Sequence, residues 1–415
     1  MGKQKMLFVS GSLGLGHVAR DLAIANELRA INKDVEIIWL ADPPASDYIR
    51  MTGETVLPDL DKISRNTNDI VDSHANDYEL MLNPYFMDWY QTFPERVGII
   101  NAAAVREKVD LILGDETYDL YCTYASKKNL KIKPFLLILD FIGAYKDATE
   151  TKWPMKMRMA FYMFQRWTYT HMKSSYGKEG TIFVGETDDV PADKLAIPMP
   201  NRREIVRRYG NSVGYILNFD PATVGSKEEM RKRLGYGPEP LVLVTIGGTA
   251  AGAPLLKKAV AAYSFMKKSV PELNMVLVNG PRVPLDYVQP SNGVKVLGMV
   301  PNLYQHMVAS DLVICSGGGT TTTELQALNK PFLYFPLKKH FEQNIDVAYH
   351  LQRDKIGVKM AYDETSPELL ASKALENLGR QVNYTKVRTD GATRAAAHTD
   401  MVLKRIERGE IKVAG

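Results

Sequence analysis

The 415-residue chain carries a formal net charge of +4, with 24% charged and 45% hydrophobic residues, the balance of a globular protein long enough for two domains. So small a positive excess does not suggest a nucleic-acid binder. No apolar run is long enough to span a bilayer, no signal peptide is visible around Met6–Val9, and the two cysteines, Cys122 and Cys315, stand far apart in apolar runs, as core thiols do in a reducing cytoplasm.

Lys5 to Ser10 reads as a strand that runs into Gly11, Gly14, Gly16 and His17. A helix from Val18 to Arg29 follows, with Leu22, Ala25 and Leu28 on one face, and then a strand from Val35 to Leu40 that closes on Asp42. This is a βαβ unit. An acidic residue after the second strand also suits a nicotinamide dehydrogenase, but the glycine spacing is G-x-x-G-x-G rather than G-x-G-x-x-G. Asp59-Leu60-Asp61 spells D-x-D in a loop-like stretch and is read as chance. Asn68 to Trp89 is expected to be helical.

Val109 to Leu113 reads as a strand ending in Gly114-Asp115-Glu116. In parallel sheets the carboxyl ends of the strands gather at one crevice, so Asp115 is expected near His17. The plain alternative is that Asp115 caps a helix from Thr117 to Lys127. Phe135 to Phe141 is a further strand. Lys152 to Lys178 then holds no acidic residue. On helical spacing Arg158, Arg166 and Lys173 share one side, and Met157, Phe161, Phe164 and Met172 the other. Such a helix either packs on a core or lies on a membrane surface.

Thr181 to Gly185 is the last strand expected in a first domain. In the second half, Leu241 to Ile246 is a strand ending in the small-residue loop Gly247 to Gly252. Asn274–Asn279 and Val294–Leu297 are further strands, the latter followed by Met299 and Val300. Leu312 to Cys315 is a strand that meets Ser316, Gly317, Gly318 and Gly319. A helix follows with Thr320, Thr321 and Glu324 in its first turns, and Pro331 separates it from a strand over Phe332–Phe335. Glycines where a strand becomes a helix let a ligand approach the backbone, and the free N–H groups of the helix start favour phosphate. Glu324, one turn in, can accept two hydroxyls from a ribose.

After that strand come Pro336 and then His340-Phe341-Glu342-Gln343-Asn344. The glycine-rich turn, the following Glu, the Lys330-Pro331 strand and the acidic-Gln pair before Asn together resemble the donor region of UDP-sugar glycosyltransferases of the GT-B fold (families 1 and 28). Ser316 stands where many members have a phosphate-binding His, and Glu342 where many have Asp. The Ser-Gly start is closer to the branch that makes the lipid-linked peptidoglycan precursor. The motif over Gly317–Gln343 is specific; the remainder of the likeness is looser.

The resemblance implies an α/β protein of GT-B architecture, two Rossmann-like domains with parallel sheets facing across a cleft. The acceptor domain spans 1–210 and the donor domain 211–380, with a C-terminal helix in 381–415 crossing back to the first domain. It implies transfer of a hexose, N-acetylglucosamine first, from UDP to an acceptor hydroxyl, with inversion and without metal. His17 is the implied general base, a group that titrates near neutral pH, with Asp115 as its orienting partner. Gly14, Gly16 and Glu116 lie on the acceptor side. Gly248 and Thr249 adjoin the diphosphate or sugar, the backbone of Met299 and Val300 flanks uracil, Ser316–Thr321 face the diphosphate, and Glu342 and Gln343 hold sugar hydroxyls. The UDP-sugar is co-substrate and no cofactor or metal is expected. A small-molecule or lipid acceptor and a peripheral membrane contact through 152–178 are the other expected partners, at the inner face of the membrane. A UDP-sugar epimerase of the same fold, or an inactive UDP-sugar-binding subunit that recruits a membrane partner, are the alternatives.

Overall fold

A computed structural model describes residues 3–11, 14–143, 154–173, 180–194, 199–289 and 292–411. The chain forms two compact units. Met1–Ile70, Leu82–Asn218 and Arg388–Gly415 make the first, and Val71–Met81 and Phe219–Val387 the second. The boundary therefore falls at 218/219, and the chain returns to the first unit at Arg388. Residues 71–81 join the second unit, a transfer with no counterpart in the linear reading.

In chain order the strands of the first half are β1 (Gln4–Val9), β2 (Val35–Leu40), the short β3 (Ala75–Asn76) and β4 (Glu79–Leu80), β5 (Leu111–Asp115), β6 (Phe135–Leu139), β7 (Thr181–Val184) and β8 (Asn211–Gly214). The second half adds β9 (Leu241–Thr245), β10 (Asn274–Val278), β11 (Val294–Leu297), β12 (Leu312–Ser316), β13 (Phe332–Phe335) and β14 (Val358–Lys359). The first unit has one parallel sheet of order β2-β1-β5-β6-β7-β8, and the second one of order β11-β10-β9-β12-β13-β14. The expected class, α/β with two parallel sheets, is the observed one. Parallel strands are covered on both faces, which is why β5, β6, β9 and β12 read as continuous apolar runs rather than alternating ones. Each fully buried Leu, Ile or Val contributes about 1.5–3 kcal/mol by leaving water.

Both sheets reverse their strand order once near the middle. In the first the reversal lies between β1 and β5, and in the second between β9 and β12. Loops leaving the carboxyl ends of two such strands run to opposite faces and open a crevice, the preferred ligand position in open α/β sheets. The crevice of the first unit is therefore bounded by Ser10, Gly11, Gly14, Gly16 and His17 on one side and Asp115–Glu116 on the other. That of the second is bounded by Gly247–Gly252 and Gly317–Thr321.

Two stretches differ from the linear reading. The stretch Asn68–Trp89 is not one helix: a helix over Thr67–Ser73 gives way to the β3–β4 hairpin, and a long helix then covers Leu82–Arg106. Asp77 and Tyr78 have φ of 46° and 62°, which no helix can contain. The first helix begins at Leu15, so Gly16 and His17 lie in its first turn, and its N-cap Gly14 has φ 106°. Along it Val18, Asp21, Ile24, Ala25 and Leu28 are buried, while Leu22 is only half-buried.

The last helix, Gly391–Glu407, packs on this first helix within the first unit. Ala392, Ala395 and Ala396 let the two backbones approach, and Val402 and Leu403 fill the space further along. Asn32 Nδ2 donates to Asp400 Oδ1 at 2.8 Å, and Gln4 Nε2 to the Leu403 carbonyl at 3.2 Å.

Candidate functional site

In the first unit, His17 Nδ1 lies 3.0 Å from Asp115 Oδ2. Asp115 is the last residue of β5 and is fully buried, so the strand end fixes its carboxylate. It caps no helix: the next one, Tyr118–Ser126, starts from Thr117 without a side-chain cap. Gly11 makes the contact sterically feasible. A Cβ there would sit 3.0 Å from the Asp115 carbonyl and 3.5 Å from both Asp115 Oδ2 and His17 Cγ.

Arg20, one turn beyond His17, is buried and donates to both Asp115 oxygens, through Nε to Oδ2 at 2.9 Å and through Nη2 to Oδ1. Its Nη1 donates to Asp140 Oδ2 at 2.6 Å. Burial alone would raise the Asp115 carboxyl, but Arg20 and His17 outweigh it and hold the group well below the usual carboxylate range. Asp115 is thus ionised and accepts the Nδ1–H of His17. The His17 lone pair is left on Nε2, which lies 3.8 Å from Glu116 Oε2. The Glu116 side chain is only 7% exposed, and burial together with neighbouring Asp140 pushes its carboxyl well up. Its surroundings therefore favour the protonated form of Glu116 beside the imidazole. Asp21, fully buried and bonded to Ser10 Oγ at 2.6 Å, is also pushed up, by burial and by Asp115.

Arg20, Asp21 and Asp140 were missed by sequence reasoning. Asp21 did leave a signal, because it stands in the apolar stripe Val18, Asp21, Ala25, Leu28, where a charge needs a reason. Asp140 left none, since its place beside Arg20 depends on a contact 120 residues apart. His17, Glu116 and Asp140 each offer a ligand atom, all within 4.8 Å of one another. Among the described residues this is the trio able to hold a cation, and Arg20 already places positive charge on Asp140.

In the second unit, Ser316 ends β12 and its Oγ donates to the Ile246 carbonyl at 3.0 Å, which joins the two glycine loops across the strand reversal. The helix Gly319–Ala327 starts from Gly318 with no side-chain cap. Its first N–H groups, near Gly319, Thr320 and Thr321, point out of the helix start without a side-chain cap among the described residues. A Cβ on Gly318 would meet nothing within 4 Å, so the space before the helix is open. A Cβ on Gly319 would lie 3.8 Å from Glu342 Oε1, which puts Glu342 beside the helix start.

Glu324 is buried one turn in, and its carboxyl makes no hydrogen bond to another described residue. Burial pushes it up to about 8. A buried carboxyl without a protein partner is suited to receiving hydroxyls from a ligand. Gln343 lies in a turn of π-helix, Glu342–Val347, a rare form that often marks functional positions. Its Oε1 accepts from Leu337 N at 2.8 Å, which leaves the amide NH₂ as the end that can meet a sugar. Gly248 and Thr249 follow β9, with Thr249 at the start of a short helical turn. Met299 and Val300 lie half-buried after the edge strand β11, and Val300 packs on the core.

Residues 241–400 match the family described as the glycosyltransferase family 28 C-terminal domain. That segment, which carries β9 to β14, is similar to the C-terminal domain of this glycosyltransferase family. An uncharacterized glycosyltransferase of Methanopyrus kandleri is 30% identical over 187 residues, 44% of this chain and 52% of that protein, so the chain spans about half the length of this relative. A UDP-N-acetylglucosamine–N-acetylmuramyl-(pentapeptide) pyrophosphoryl-undecaprenol N-acetylglucosamine transferase of Caldicellulosiruptor saccharolyticus is 22% identical over 302 residues, 61% of this chain and 80% of that one. Among solved structures, a spinosyn rhamnosyltransferase complexed with spinosyn aglycone aligns over 98% of this chain and 100% of its own, with TM-score 0.55 and 16% identity, a likeness of fold.

Proposed function

We propose that this chain transfers a hexose, N-acetylglucosamine first, from a UDP-sugar to an acceptor hydroxyl, with inversion at the anomeric carbon and without metal. The observation that carries the reading is the His17–Asp115 contact at the strand reversal of the first sheet, 3.0 Å long and locked by Arg20. Nε2 takes the proton of the acceptor hydroxyl as its oxygen attacks. Asp115 holds the ring and balances the charge it gains. Gly14 and Gly16 shape the approach to that nitrogen, and Glu116 in its protonated form offers the acceptor a hydrogen-bond donor.

On the second unit, UDP sits with its diphosphate on the helix start at Gly317–Thr321, beside Ser316. The charge that develops on the leaving group there meets N–H groups, hydroxyls and the positive end of the helix dipole. Glu324 takes the ribose hydroxyls, Glu342 and Gln343 the sugar, Gly248 and Thr249 border the transferred group, and main-chain groups at Met299 and Val300 read uracil. The relative from Caldicellulosiruptor, by its name, uses UDP-N-acetylglucosamine and a lipid-linked acceptor, which supports that choice of sugar.

A lipid acceptor suits the helix Met155–Met172. Met155, Met159 and Tyr162 on it are 68%, 61% and 40% exposed, beside exposed Lys156, Arg158 and Arg166. Exposed apolar side chains among cations fit the headgroup region of an anionic membrane. The side chains on the expected apolar side of this helix, Met157, Phe161, Phe164 and Met172, and the ends of the 152–178 stretch lie outside what the structure describes. No helix among the described residues is long and apolar enough to cross a membrane, so the contact is peripheral in this reading. Co-sedimentation with anionic vesicles tests it, and loss of all binding to them would remove it.

The central test is His17→Ala with UDP-N-acetylglucosamine and a polyprenyl-linked acceptor. Turnover should fall at least about 100-fold, the usual worth of a general base, while UDP affinity is unchanged. Undiminished turnover would overturn the assignment of the base. Conversion of the UDP-sugar with no acceptor present would favour an epimerase.

A further inference from the structure

Residues 71–81 leave the first unit after Ile70 and rejoin it at Leu82, and between these points they are part of the second. Their turn is the pair Asp77-Tyr78, both with positive φ. Two such residues match the twist of a tight hairpin, but the geometry is unusual for a tyrosine. Backbone held in so unfavourable a region is kept only where its surroundings fix it, and such positions cluster at functional sites.

The surroundings of Tyr78 are specific. The residue is fully buried in the core of the second unit and its ring stacks on Tyr362, 4.2 Å between centroids and 12° from parallel. Its hydroxyl donates to the Phe335 carbonyl at 2.6 Å, and its own carbonyl accepts from Lys338 N at 2.9 Å. Tyr78 thus grips both ends of Phe335–Lys338, the exit from β13. Leu337, between those grips, donates its N–H to Gln343 Oε1 at 2.8 Å, and its carbonyl accepts from Asn344 Nδ2 at 2.7 Å. Ion pairs flank the grip, Lys338 with Asp77 at 2.9 Å and Lys339 with Glu79 at 2.8 Å.

The other end of the segment holds the second loop. Asp72 Oδ1 accepts from Ala250 N at 3.3 Å, and Asp72 Oδ2 from Arg282 Nε at 2.7 Å. Ala250 opens the helical turn that follows Gly248 and Thr249.

We propose that the 71–81 hairpin is a positioning element of the donor-sugar site, with Tyr78 setting the loop of Glu342 and Gln343 and Asp72 setting the loop of Gly248 and Thr249. The inference rests on the donor site proposed above and adds to it two residues that touch neither nucleotide nor sugar. It assigns the hairpin to recognition of the hexose rather than of UDP, because the two loops it holds are those that meet the sugar, while Glu324 and the helix start bind the nucleotide.

The experiment is calorimetric titration of wild type, Tyr78→Phe and Asp72→Asn with UDP, UDP-N-acetylglucosamine and UDP-glucose, with melting temperatures recorded in parallel. Tyr78→Phe keeps the ring and its stacking and removes only the hydroxyl, and Asp72→Asn keeps shape and removes the ion pair, so each stands in if the other does not fold. Both variants should bind UDP within about threefold of wild type and lose about tenfold for the UDP-sugar that wild type binds best, a split that general loosening would not produce. Equal losses for UDP and UDP-sugar, or no loss for either, would overturn the inference. Wild type that binds no uridine nucleotide would instead remove the donor reading and the inference with it.

Discussion

Binding of UDP should release a proton, and Glu324 should supply it. In the free protein burial pushes this carboxyl up to about 8, so at pH 7 roughly nine molecules in ten hold it protonated, by the ordinary titration curve. Accepting two ribose hydroxyls, one on each oxygen, favours the ionised form. Calorimetry at pH 7 in buffers of different ionisation enthalpy should therefore show about 0.9 proton released per UDP bound. From pH 7 to pH 9 the ionised fraction of the free protein rises about tenfold, so affinity should rise by about 1.4 kcal/mol and then level off. Starting at pH 7 keeps the UDP phosphates ionised throughout, since a terminal phosphate titrates near pH 6. Glu324→Gln should bind more weakly at pH 9 and show neither proton release nor this pH dependence.

The same shift has a consequence for the unliganded fold. The folded carboxyl is raised above its unfolded value, so between about pH 4.5 and 8 the folded state binds more protons than the unfolded one, and stability is lost as pH rises through that window. Glu324→Gln should accordingly unfold at higher urea than wild type at pH 8, by a few kcal/mol, and at nearly the same urea at pH 4. Heats that do not depend on the buffer at pH 7 would refute the reasoning, because they would mean that Glu324 does not change its ionisation when UDP binds.

Two further outcomes follow from the geometry. Arg20→Met should cost about 3–5 kcal/mol in urea unfolding at pH 7, because it strands Asp115 and Asp140 without their cation, and the deficit should shrink in acid as they protonate; an undiminished midpoint would mean that the guanidinium does not hold this cluster. Gly318→Ala should leave the melting temperature unchanged, since its φ is −67° and the added methyl meets nothing within 4 Å, yet weaken UDP by at least about tenfold if a phosphate occupies that space; unchanged affinity would place the diphosphate elsewhere.

Much of the fold was legible because it rests on local pattern. Parallel strands covered on both faces must be short continuous apolar runs, and Leu111–Asp115, Leu241–Thr245 and Leu312–Ser316 announce themselves that way. Glycines after β1, β9 and β12 mark where a strand must turn into a helix closely. The strand–helix–strand path through Gly317–Phe335 was also legible, because its elements follow one another and their spacing survives in one dimension.

The rest needed three dimensions. The reversal of strand order that sets His17 beside Asp115 is a property of the sheet, since β1 and β5 are neighbours only once about a hundred intervening residues have been placed elsewhere. Arg20 reads as an ordinary exposed helix charge until burial removes water from it, and the three carboxylates around it become one cluster only through long-range contacts. The β3–β4 hairpin was illegible for a different reason. Its strands are two residues each and its turn is Asp-Tyr, so neither periodicity nor turn chemistry betrays it. The packing of Tyr78 in the core of the second unit supplies what the local sequence lacks, and so the hairpin exists only where that tertiary structure does. Local alternation and glycine placement determined which elements form and what kind of sheet they build, because those depend on neighbours a few residues away. Which charges are buried together, and which loops are held, was decided by the tertiary structure, because desolvation and long-range hydrogen bonds act only on groups the fold has already brought side by side.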